Sequence, residues 1–461
     1  MNSPRFGSFI LCACLGATSG MFAADSSAEL TPAPSERALP SAIVPDQYIV
    51  QVVAGVNPRT VAATFGISPR HVYEHAVRGF AGYIPPGRLA AVRADARVVH
   101  VTPDRKVAAI GKPSGGGGGA AQVTPAGVEH IGAAPGVVAY SGAGIGVAVV
   151  DTGVDFNHAD LQPLASASFS AFGSSALDNN GHGTHVAGTI AARNNSIDVV
   201  GVAPAATIYA VKVLDAAGSG SDATVIAGLD WVAAANTGPL AVIPRIRVVN
   251  MSLGRAGTLD DNSTLRASVA ALRDSGVAVV VAAGNDATLE VSQQVPSTYP
   301  EVIAIASTTA KDGTNQYRFF SGVIKADTAS YFTSDGAFDP ETVIGVNGIG
   351  VTVSGPGEDQ ENISKAGFLK SVGILSTKLA GGTTRMSGTS MAAPHAAGVA
   401  ALVFQQNSTL GAEDIRDRLS AGATNAGTTP LDSPTSGYTY DGAREGVLNA
   451  PGALAAPPPA P

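Results

Sequence analysis

A hydroxyl, an imidazole and a carboxylate stand in three short motifs where they could act together. Residues 388–395 spell Gly-Thr-Ser-Met-Ala-Ala-Pro-His, and Ser390 opens a run of small apolar residues that continues to Phe404. A run this long that is apolar on all sides predicts a buried helix. A serine at a helix N-terminus lies where N–H groups and the helix dipole favour a developing negative charge. The same serine could also be a simple helix cap.

A serine hydroxyl becomes a good nucleophile only when a base takes its proton and a third group orients that base. Residues 147–153 spell Val-Ala-Val-Val-Asp-Thr-Gly, which predicts a buried strand ending in the carboxylate of Asp151. Residues 181–188 spell Gly-His-Gly-Thr-His-Val-Ala-Gly and place His182 at the start of another helix of small residues. Taken singly, Asp151 could be a buried capping carboxylate and His182 a core histidine, so the catalytic interpretation depends on all three.

The elements that would position these groups alternate along the chain. Short β-branched runs are separated by helical stretches, which predicts an α/β fold: a parallel sheet flanked by helices on both faces. The runs lie at residues 147–150, 207–213, 248–251, 277–282 and 302–306. With 45% hydrophobic residues, 14% charged residues and 55 glycines in 461 residues, the composition is that of a globular protein with many tight turns and excludes a disordered one.

The N-terminus predicts export. Residues 1–24 carry Arg5, an apolar core at 9–15 and then small residues, which is typical of a secretory signal peptide and too short for a membrane span. We therefore expect a secreted protein, extracellular or periplasmic. Cys12 and Cys14 loosely suggest a lipoprotein signal instead, and we favour the plain signal peptide. They are the only cysteines, so a processed chain would have no disulfide and no thiol chemistry.

A small separate domain is predicted at residues 46–110. Its strands and helices follow the order βαββαβ, the α+β ferredoxin-like arrangement. Residues 111–120 include five consecutive glycines and predict a flexible linker. The large domain is predicted at 121–455, and residues 456–461 form a Pro-rich tail.

Charge divides along the same boundary. Residues 46–113 hold 9 basic and 4 acidic side chains, whereas residues 114–461 hold 17 basic and 29 acidic ones. Opposite net charges suit two domains that associate within one chain. The acidic large domain would repel phosphate, which argues against nucleic-acid binding.

Together and in this chain order, Asp-Thr-Gly, Gly-His-Gly-Thr-His and Gly-Thr-Ser-Met-Ala-Ala-Pro-His resemble the motifs of the subtilisin-like serine proteases, the subtilases. The resemblance covers roughly residues 122–454, and residues 46–110 resemble the I9-type inhibitory propeptide of that family. It implies a secreted, self-processing serine endopeptidase that acts on proteins or peptides. The propeptide would serve as intramolecular chaperone and inhibitor, and we expect a monomer without a membrane span.

The resemblance also implies roles for individual residues. Ser390 would attack the scissile carbonyl, His182 would move the proton, and Asp151 would orient the imidazole. Asn285, in Ala-Ala-Gly-Asn after a predicted strand, would stabilise the oxyanion together with the Ser390 N–H. Two Gly-rich stretches would clamp substrate backbone, and a third would wall an apolar P1 pocket with broad specificity. These stretches are Gly218, Ser219 and Gly220; Ser252, Leu253 and Gly254; and Ala282, Ala283 and Gly284.

A calcium site is implied by the loop at residues 194–199, which resembles the family's strong calcium loop. Its ligands would all be oxygens, as a hard cation requires. They would be the side chains of Gln122, Asp160 and Asn195 and the carbonyls of Arg193, Ile197 and Val199. The alternative is a polar turn without metal.

Other classes of protein fit the sequence less well. The glycines at 142–146 precede a strand, whereas a dinucleotide fingerprint must follow one. No His-Glu-x-x-His zinc motif occurs. The alternative that stays open is a catalytically silent binding protein with the same fold. Residues 311–385 are longer than the family's usual segment, mainly at 327–347.

Overall fold

The computed structural model describes residues 42–116, 121–164, 167–237, 241–336, 350–426 and 445–456. The predicted signal peptide, residues 117–120 of the predicted linker and residues 457–461 of the predicted tail lie outside this part of the chain. So does most of the unusual segment at 327–347. Among the described residues, no helix is both long and apolar enough to cross a bilayer.

The N-terminal domain is a four-stranded antiparallel sheet with two helices, as the βαββαβ order predicts. Its elements are β1 (Ile43–Val52), α1 (Pro58–Thr64), β2 (His71–Tyr73), β3 (Gly79–Tyr83), α2 (Pro86–Ala94) and β4 (Val98–Ala109). The spatial order is β4-β1-β3-β2. Successive side chains of a strand point to opposite faces, so Val50 packs on the domain's own helices while Ile49 packs toward the large domain.

The large domain carries the remaining elements. In chain order they are β5 (Lys112–Gly116), α3 (Ala126–His130), β6 (Gly146–Asp151), β7 (Phe169–Ser170), α4 (His182–Ala191), β8 (Thr207–Lys212), β9 (Ser219–Ser221), α5 (Asp222–Ala235), β10 (Ile246–Met251), β11 (Leu253–Ala256), α6 (Ser263–Asp274), β12 (Ala278–Ala282), β13 (Gln294–Val295), β14 (Ile303–Thr309), β15 (Val353–Glu358), β16 (Gln360–Ile363), β17 (Leu369–Val372), β18 (Ile374–Thr377), β19 (Thr383–Ser387), α7 (Thr389–Gln406), α8 (Ala412–Ala421) and α9 (Ala450–Ala455).

The centre of this domain is a parallel sheet in the order β15-β14-β12-β10-β6-β8-β7. Alternate residues of each strand belong to two different cores. Val147 and Val149 pack against the side of α4 and α7, and Ala148 and Val150 pack against α5. Both faces are therefore covered, which explains the continuous apolar runs in the sequence. The predicted α/β fold with a parallel sheet is confirmed.

The predicted linker differs from the structure. We expected residues 111–120 to be flexible, but residues 112–116 form β5, which pairs antiparallel with β19. The linker stays a prediction, and within it backbone pairing with β19 orders residues 112–116 although glycine is a weak strand former. β4 continues to Ala109, and its end enters the large domain.

Part of the unusually long segment before α7 forms a hairpin. β16 and β17 pair antiparallel over four residue pairs. Ile363 and Leu369 from this hairpin pack with Ile324 in a small separate core. Along the chain, the hairpin follows β15 of the central sheet and precedes β18 and β19, which lead into α7.

The two domains are joined by polar contacts away from β4 as well. Asp230, near the end of α5, accepts hydrogen bonds from the backbone N–H groups of Glu74, His75 and Ala76 at 2.9, 2.7 and 2.7 Å. The Tyr73 hydroxyl donates to the Ala223 carbonyl at 3.0 Å. Hydrogen bonds to an ionised acceptor contribute about 1.5–3 kcal/mol each, so Asp230 is a strong point of attachment.

Replacing Asp230 with Ala should free the loop at residues 74–76. We expect the amide hydrogens of Glu74, His75 and Ala76 to exchange at least about tenfold faster, because loss of about 1.4 kcal/mol is a tenfold change in a local opening equilibrium. Hydrogen exchange on the intact chain measures this. Asp274→Ala, on the exposed end of α6, is the control and should leave these amides unchanged. Unchanged exchange in Asp230→Ala would contradict this attachment.

Candidate active site

The carboxylate and the imidazole meet at the edge of the central sheet. Asp151 is the last residue of β6, and His182 is the first residue of α4. His182 Nδ1 lies 2.8 Å from Asp151 Oδ1 and 3.0 Å from Oδ2, and both side chains are buried. Burial alone would lower the pKa of His182, but the Asp151 charge and hydrogen bond outweigh it and raise the pKa. The pair can thus hold an imidazolium in a dry site.

Ser390 is brought to the same edge by α7. It is the second residue of this 18-residue helix, behind Gly388, whose φ of 149° favours glycine. In the structure the Ser390 hydroxyl donates to the Ser252 carbonyl at 2.9 Å. His182 Nε2 is buried and has no hydrogen-bond partner among the described residues. The Ser390 hydroxyl therefore does not hydrogen-bond to His182 in this structure. Hydrogen bonds between reacting groups are often long in the free protein and shorten in the reacting complex.

Asn285 lies just beyond β12 and is fixed by its amide oxygen. Its Oδ1 accepts from the Thr389 N–H and from the Thr389 hydroxyl, both at 2.9 Å. With the amide oxygen fixed in this way, Asn285 Nδ2 donates a hydrogen bond to the Ile110 carbonyl at 3.1 Å. A neutral donor held in advance beside a carbonyl is what stabilisation of an oxyanion requires.

The end of β4 lies between β9 and β11 as a third strand. Val107 and Ala108 pair with β9, and Ala108 and Ala109 pair with β11. The Ala109 N–H donates to the Gly218 carbonyl at 2.9 Å, and the Ile110 N–H donates to the Ser252 carbonyl at 3.2 Å. Two of the predicted substrate-binding stretches, Gly218–Gly220 and Ser252–Gly254, therefore bind an extended chain in this structure, and that chain is the protein's own.

The peptide bond after Ile110 lies where these groups converge. The Ile110 carbonyl accepts from Asn285 Nδ2, and a Cβ placed on Gly111 would lie only 2.8 Å from His182 Nε2. A Cβ on Gly388 would lie 2.7 Å from the Ile110 oxygen, so that position leaves room only for glycine. The arrangement can perform acyl transfer from the Ile110 carbonyl.

The third predicted stretch, Ala282, Ala283 and Gly284, is placed differently. Ala282 and Ala283 are buried in the cores on opposite faces of the sheet. The Ile110 side chain lies against Gly254 instead, because a Cβ added to Gly254 would be only 2.9 Å from Ile110 Cδ1. Ile110 also packs against the core that contains Ala282. That Ala282–Gly284 wall an apolar pocket stays a prediction.

Asp178 is a residue of this site that the sequence motifs do not identify. Its carboxylate accepts from the hydroxyls of Thr152 and Thr184 at 2.9 and 2.6 Å and from the N–H groups of Asn180, Gly181 and Thr184. It thereby ties the residue after Asp151 to the loop and helix that carry His182. Asp178 lies four residues before α4, outside the N-cap position that sequence signals identify, and nothing local shows that it reaches the strand.

The predicted calcium ligands converge around the Gln122 side chain. Gln122 Nε2 lies 2.6 Å from the Arg193 carbonyl, 3.1 Å from the Val199 carbonyl and 3.4 Å from Asn195 Oδ1. One amide nitrogen with two hydrogens thus faces three oxygens. Turning the Gln122 amide by 180° would add a fourth oxygen and make a set of hard donors suited to calcium.

The two other predicted calcium ligands lie close by. Asp160 accepts from Asn195 Nδ2 at 2.7 Å, and Ile197 lies in the same loop, bridged to Ala121. No group of three or more His, Cys, Asp or Glu side chains suited to a metal occurs in the described ranges. A site built mainly from carbonyl and amide oxygens would not form such a group. The residues present fit calcium because they offer only oxygen donors.

Buried carboxyls lie behind the loop that precedes Ser390. Glu358 and Glu361 are fully buried and lie close enough for their charges to interact. The Ser371 hydroxyl donates to Glu358 and lies 2.6 Å from the hydroxyl of Ser387, three residues before Ser390. Burial, together with the Glu358 charge, raises the pKa of Glu361 well above its usual range, because two buried carboxyls cannot both ionise at low cost.

Comparison with known proteins gives two family matches. Residues 142–439 match the subtilase family, and residues 63–109 match the peptidase inhibitor I9 family. Subtilisin DY of Bacillus licheniformis is 35% identical over 290 residues, 62% of this chain and 86% of that protein. Subtilisin Savinase of Lederbergia lenta is 37% identical over 63% of this chain and 87% of its own. M-protease of Shouchella clausii is 35% identical over 76% of this chain and 74% of its own.

Glu361→Gln should stabilise the protein at high pH and not at low pH. A carboxyl whose pKa is higher in the folded than in the unfolded chain makes its full contribution to the free energy of unfolding below the unfolded-chain pKa of about 4.5. It loses that contribution as the pH rises toward the folded-state pKa. Gln stays neutral, so its melting temperature should exceed that of the parent increasingly above pH 4.5. Thermal unfolding from pH 4 to 9 measures this. Glu129→Gln, at an exposed position, is the control; a constant difference across the range would contradict the prediction.

Proposed function

This chain belongs to the subtilase family and is a serine endopeptidase with an I9-type propeptide; on that premise we propose that Ser390, His182 and Asp151 are its catalytic triad and that it cleaves its own propeptide. We further propose that it is exported by the signal peptide at residues 1–24 to the periplasm or the extracellular space. One observation carries the proposal: Asn285 Nδ2 donates a hydrogen bond to the Ile110 carbonyl, and Gly111, on the other side of the same peptide bond, lies close to His182 Nε2.

The proposed reaction begins with the transfer of the Ser390 proton to His182 Nε2. Ser390 Oγ then bonds to the substrate carbonyl carbon, and the oxygen takes up the negative charge beside Asn285 Nδ2 and the Ser390 N–H. Asp151 stabilises the imidazolium through Nδ1. His182 gives its proton to the leaving amine as the C–N bond breaks, which leaves an acyl-enzyme. Water, deprotonated by His182, then releases the acid and restores Ser390.

The first substrate in this proposal is the chain itself. Its extended residues 107–110 are already paired with β9 and β11, and the bond between Ile110 and Gly111 lies at the reacting groups. After cleavage the new carboxyl terminus would stay in the groove as a product. The strand pairing of β4, together with Asp230 on the loop at 74–76, supports inhibition by the cleaved propeptide.

The proposed specificity is broad, with an apolar residue before the cleaved bond. Backbone pairing on both sides of the substrate strand uses groups that every residue has. Ile110 supplies an apolar side chain at the position before the bond, packed on the apolar core. No long charged side chain of this chain is needed to bind it.

Calcium is proposed to stabilise the enzyme without taking part in the chemistry. Gln122, Asp160 and Asn195 and the carbonyls of Arg193, Ile197 and Val199 would hold the ion. It would join the start of the large domain to the loop after α4, so its binding would add directly to folding stability.

Ser390→Ala should leave the precursor uncut, because it removes the only atom that can form the acyl-enzyme. The fold should survive, since the change removes one hydrogen bond, from the Ser390 hydroxyl to the Ser252 carbonyl, which contributes about 1 kcal/mol. Mass spectrometry of purified protein should find residues 110 and 111 still joined, whereas the parent should begin at Gly111. A fluorophosphonate should label the parent at Ser390 and not the variant. Maturation of Ser390→Ala at the parent's rate would contradict the triad, and an unlabelled, uncut parent would favour the silent binding protein.

Removing calcium should lower the melting temperature more than it changes the active site. At a free concentration 100 times Kd, a bound ion contributes about 2.7 kcal/mol of stability. Thermal unfolding with calcium and with a chelator measures this in Ser390→Ala. Gln122→Ala should abolish most of the difference between the two conditions, and Gln316→Ala, distant in sequence from the loop, should keep it. Equal melting temperatures with and without chelator in the Ser390→Ala protein that keeps Gln122 would exclude this site.

A further inference from the structure

Lys212 is a buried lysine beside the proposed triad, and the proposed reaction does not use it. It is the last residue of β8 and stands opposite Asp151 in the parallel pairing of β6 with β8. Only 4% of its surface is exposed. A lysine is almost never buried to this degree unless its charge has partners, so the groups around its ammonium decide what it does.

The ammonium group of Lys212 joins two segments of the active site. It donates a hydrogen bond to the carbonyl of Thr152, the residue after Asp151. It donates a second hydrogen bond, at 2.9 Å, to Oδ1 of Asn179, in the loop that leads into α4 and His182. One cation therefore ties the end of the strand that carries the carboxylate to the segment that carries the imidazole.

Asp178 links the same two segments from another side. Its carboxylate accepts from the Thr152 hydroxyl at 2.9 Å and from the Thr184 hydroxyl, in α4, at 2.6 Å. Thr152 is thus held through its carbonyl by Lys212 and through its hydroxyl by Asp178. Both charged side chains are buried, so salt in the solvent screens their charges only weakly.

The charges of this cluster act against one another. Burial lowers the pKa of His182, but the charges of Asp151 and Asp178 outweigh it and raise the pKa. Burial also lowers the pKa of Lys212, and the charges of Asp178, Asp151 and Asp215 oppose that fall. With Lys212 protonated, the two buried carboxylates and the lysine carry one net negative charge. Without it they would carry two, and the imidazolium would persist to a higher pH.

One more titratable group lies close to this cluster. His185 is one helical turn beyond His182 in α4 and is fully buried. Burial lowers the pKa of His185 to about 3. It therefore stays neutral over the range in which His182 would act, and the balance of charge around His182 is left to the carboxylates and Lys212.

We propose that Lys212 is a positioning residue of the triad, which fixes Asp151 relative to the loop before His182 and offsets the charge of the two buried carboxylates. It touches neither the substrate nor the reacting atoms, and it acts through Thr152 and Asn179. The offset keeps the imidazole a free base near neutral pH, which is the form that can take a proton from a serine. This inference rests on the proposed function, because it assigns a purpose to the lysine only if His182 is the base.

The test follows the protonation of the His182 imidazole by NMR in chains carrying Ser390→Ala, where no turnover is needed. Lys212→Met removes the charge and keeps a side chain of similar length. The pKa of His182 should rise by about 0.5 or more, as expected for loss of a nearby charge at an effective dielectric constant of about 20. The rise should persist at high salt. Lys370→Met, at an exposed lysine, is the control and should leave this pKa unchanged.

Asp178→Asn supplies a change of opposite sign. Alone it should lower the pKa of His182, and combined with Lys212→Met it should return that pKa toward the parent's value. The combined variant leaves no uncompensated Asp178 charge, so it is informative even if Lys212→Met alone does not fold. A His182 pKa that is equal in the combined variant and in Asp178→Asn would overturn the role of the lysine charge.

Kinetics of active chains test the positioning and separate it from the proposed function. In Lys212→Met the acid limb of kcat/KM should move to higher pH. Above that limb, kcat should fall about tenfold while KM stays within about twofold, because a misplaced base slows the chemical step more than it weakens binding. An unchanged kcat overturns the positioning role. A parent that shows no turnover, with the NMR shift present, overturns the proposed function and leaves the charge effect of Lys212 on His182 in place.

Discussion

Burial of both faces of the central parallel sheet is the constraint on which the rest of this structure depends. Helices cover each face, so polar and reactive groups can stand only where strands end and helices begin. Asp151 ends β6 and Asn285 follows β12, while His182 and Ser390 open α4 and α7. The four groups arise from segments far apart in the chain, and they meet because the carboxyl ends of parallel strands lie along one edge.

Close approach at this edge requires small residues. A Cβ at Gly183 would lie 2.1 Å from the Gly153 carbonyl, so the helix that carries His182 can approach the strand that carries Asp151 only with glycine there. Buried hydrogen bonds then fix the angles, with Asp178 joining Thr152 to Thr184 and Asn285 joining β12 to Thr389. The site is rigid because its polar groups are mostly satisfied, and the unpartnered His182 Nε2 marks the atom that remains available.

The propeptide pairs with the two Gly-rich strands that we propose bind substrate. Its sheet packs on α5, its last strand fills the gap between β9 and β11, and the following residues pair with β19. One continuous segment, residues 106–116, therefore pairs in turn with β9, β11 and β19 on both sides of the Ile110–Gly111 bond.

The sequence by itself determined the fold class, five strands of the central sheet and the residues that meet at the site. Apolar runs with β-branched residues predict buried strands, and Gly-His-Gly-Thr-His and Gly-Thr-Ser-Met are long enough to be specific. Only the tertiary structure decided that residues 112–116 form a strand, that Asp178 links strand and helix, and that Ile110–Gly111 is the bond brought to His182. The reason is physical: glycine-rich backbone has no periodic pattern of its own, and a hydrogen bond between distant residues depends on a distance that spacing along the chain does not contain.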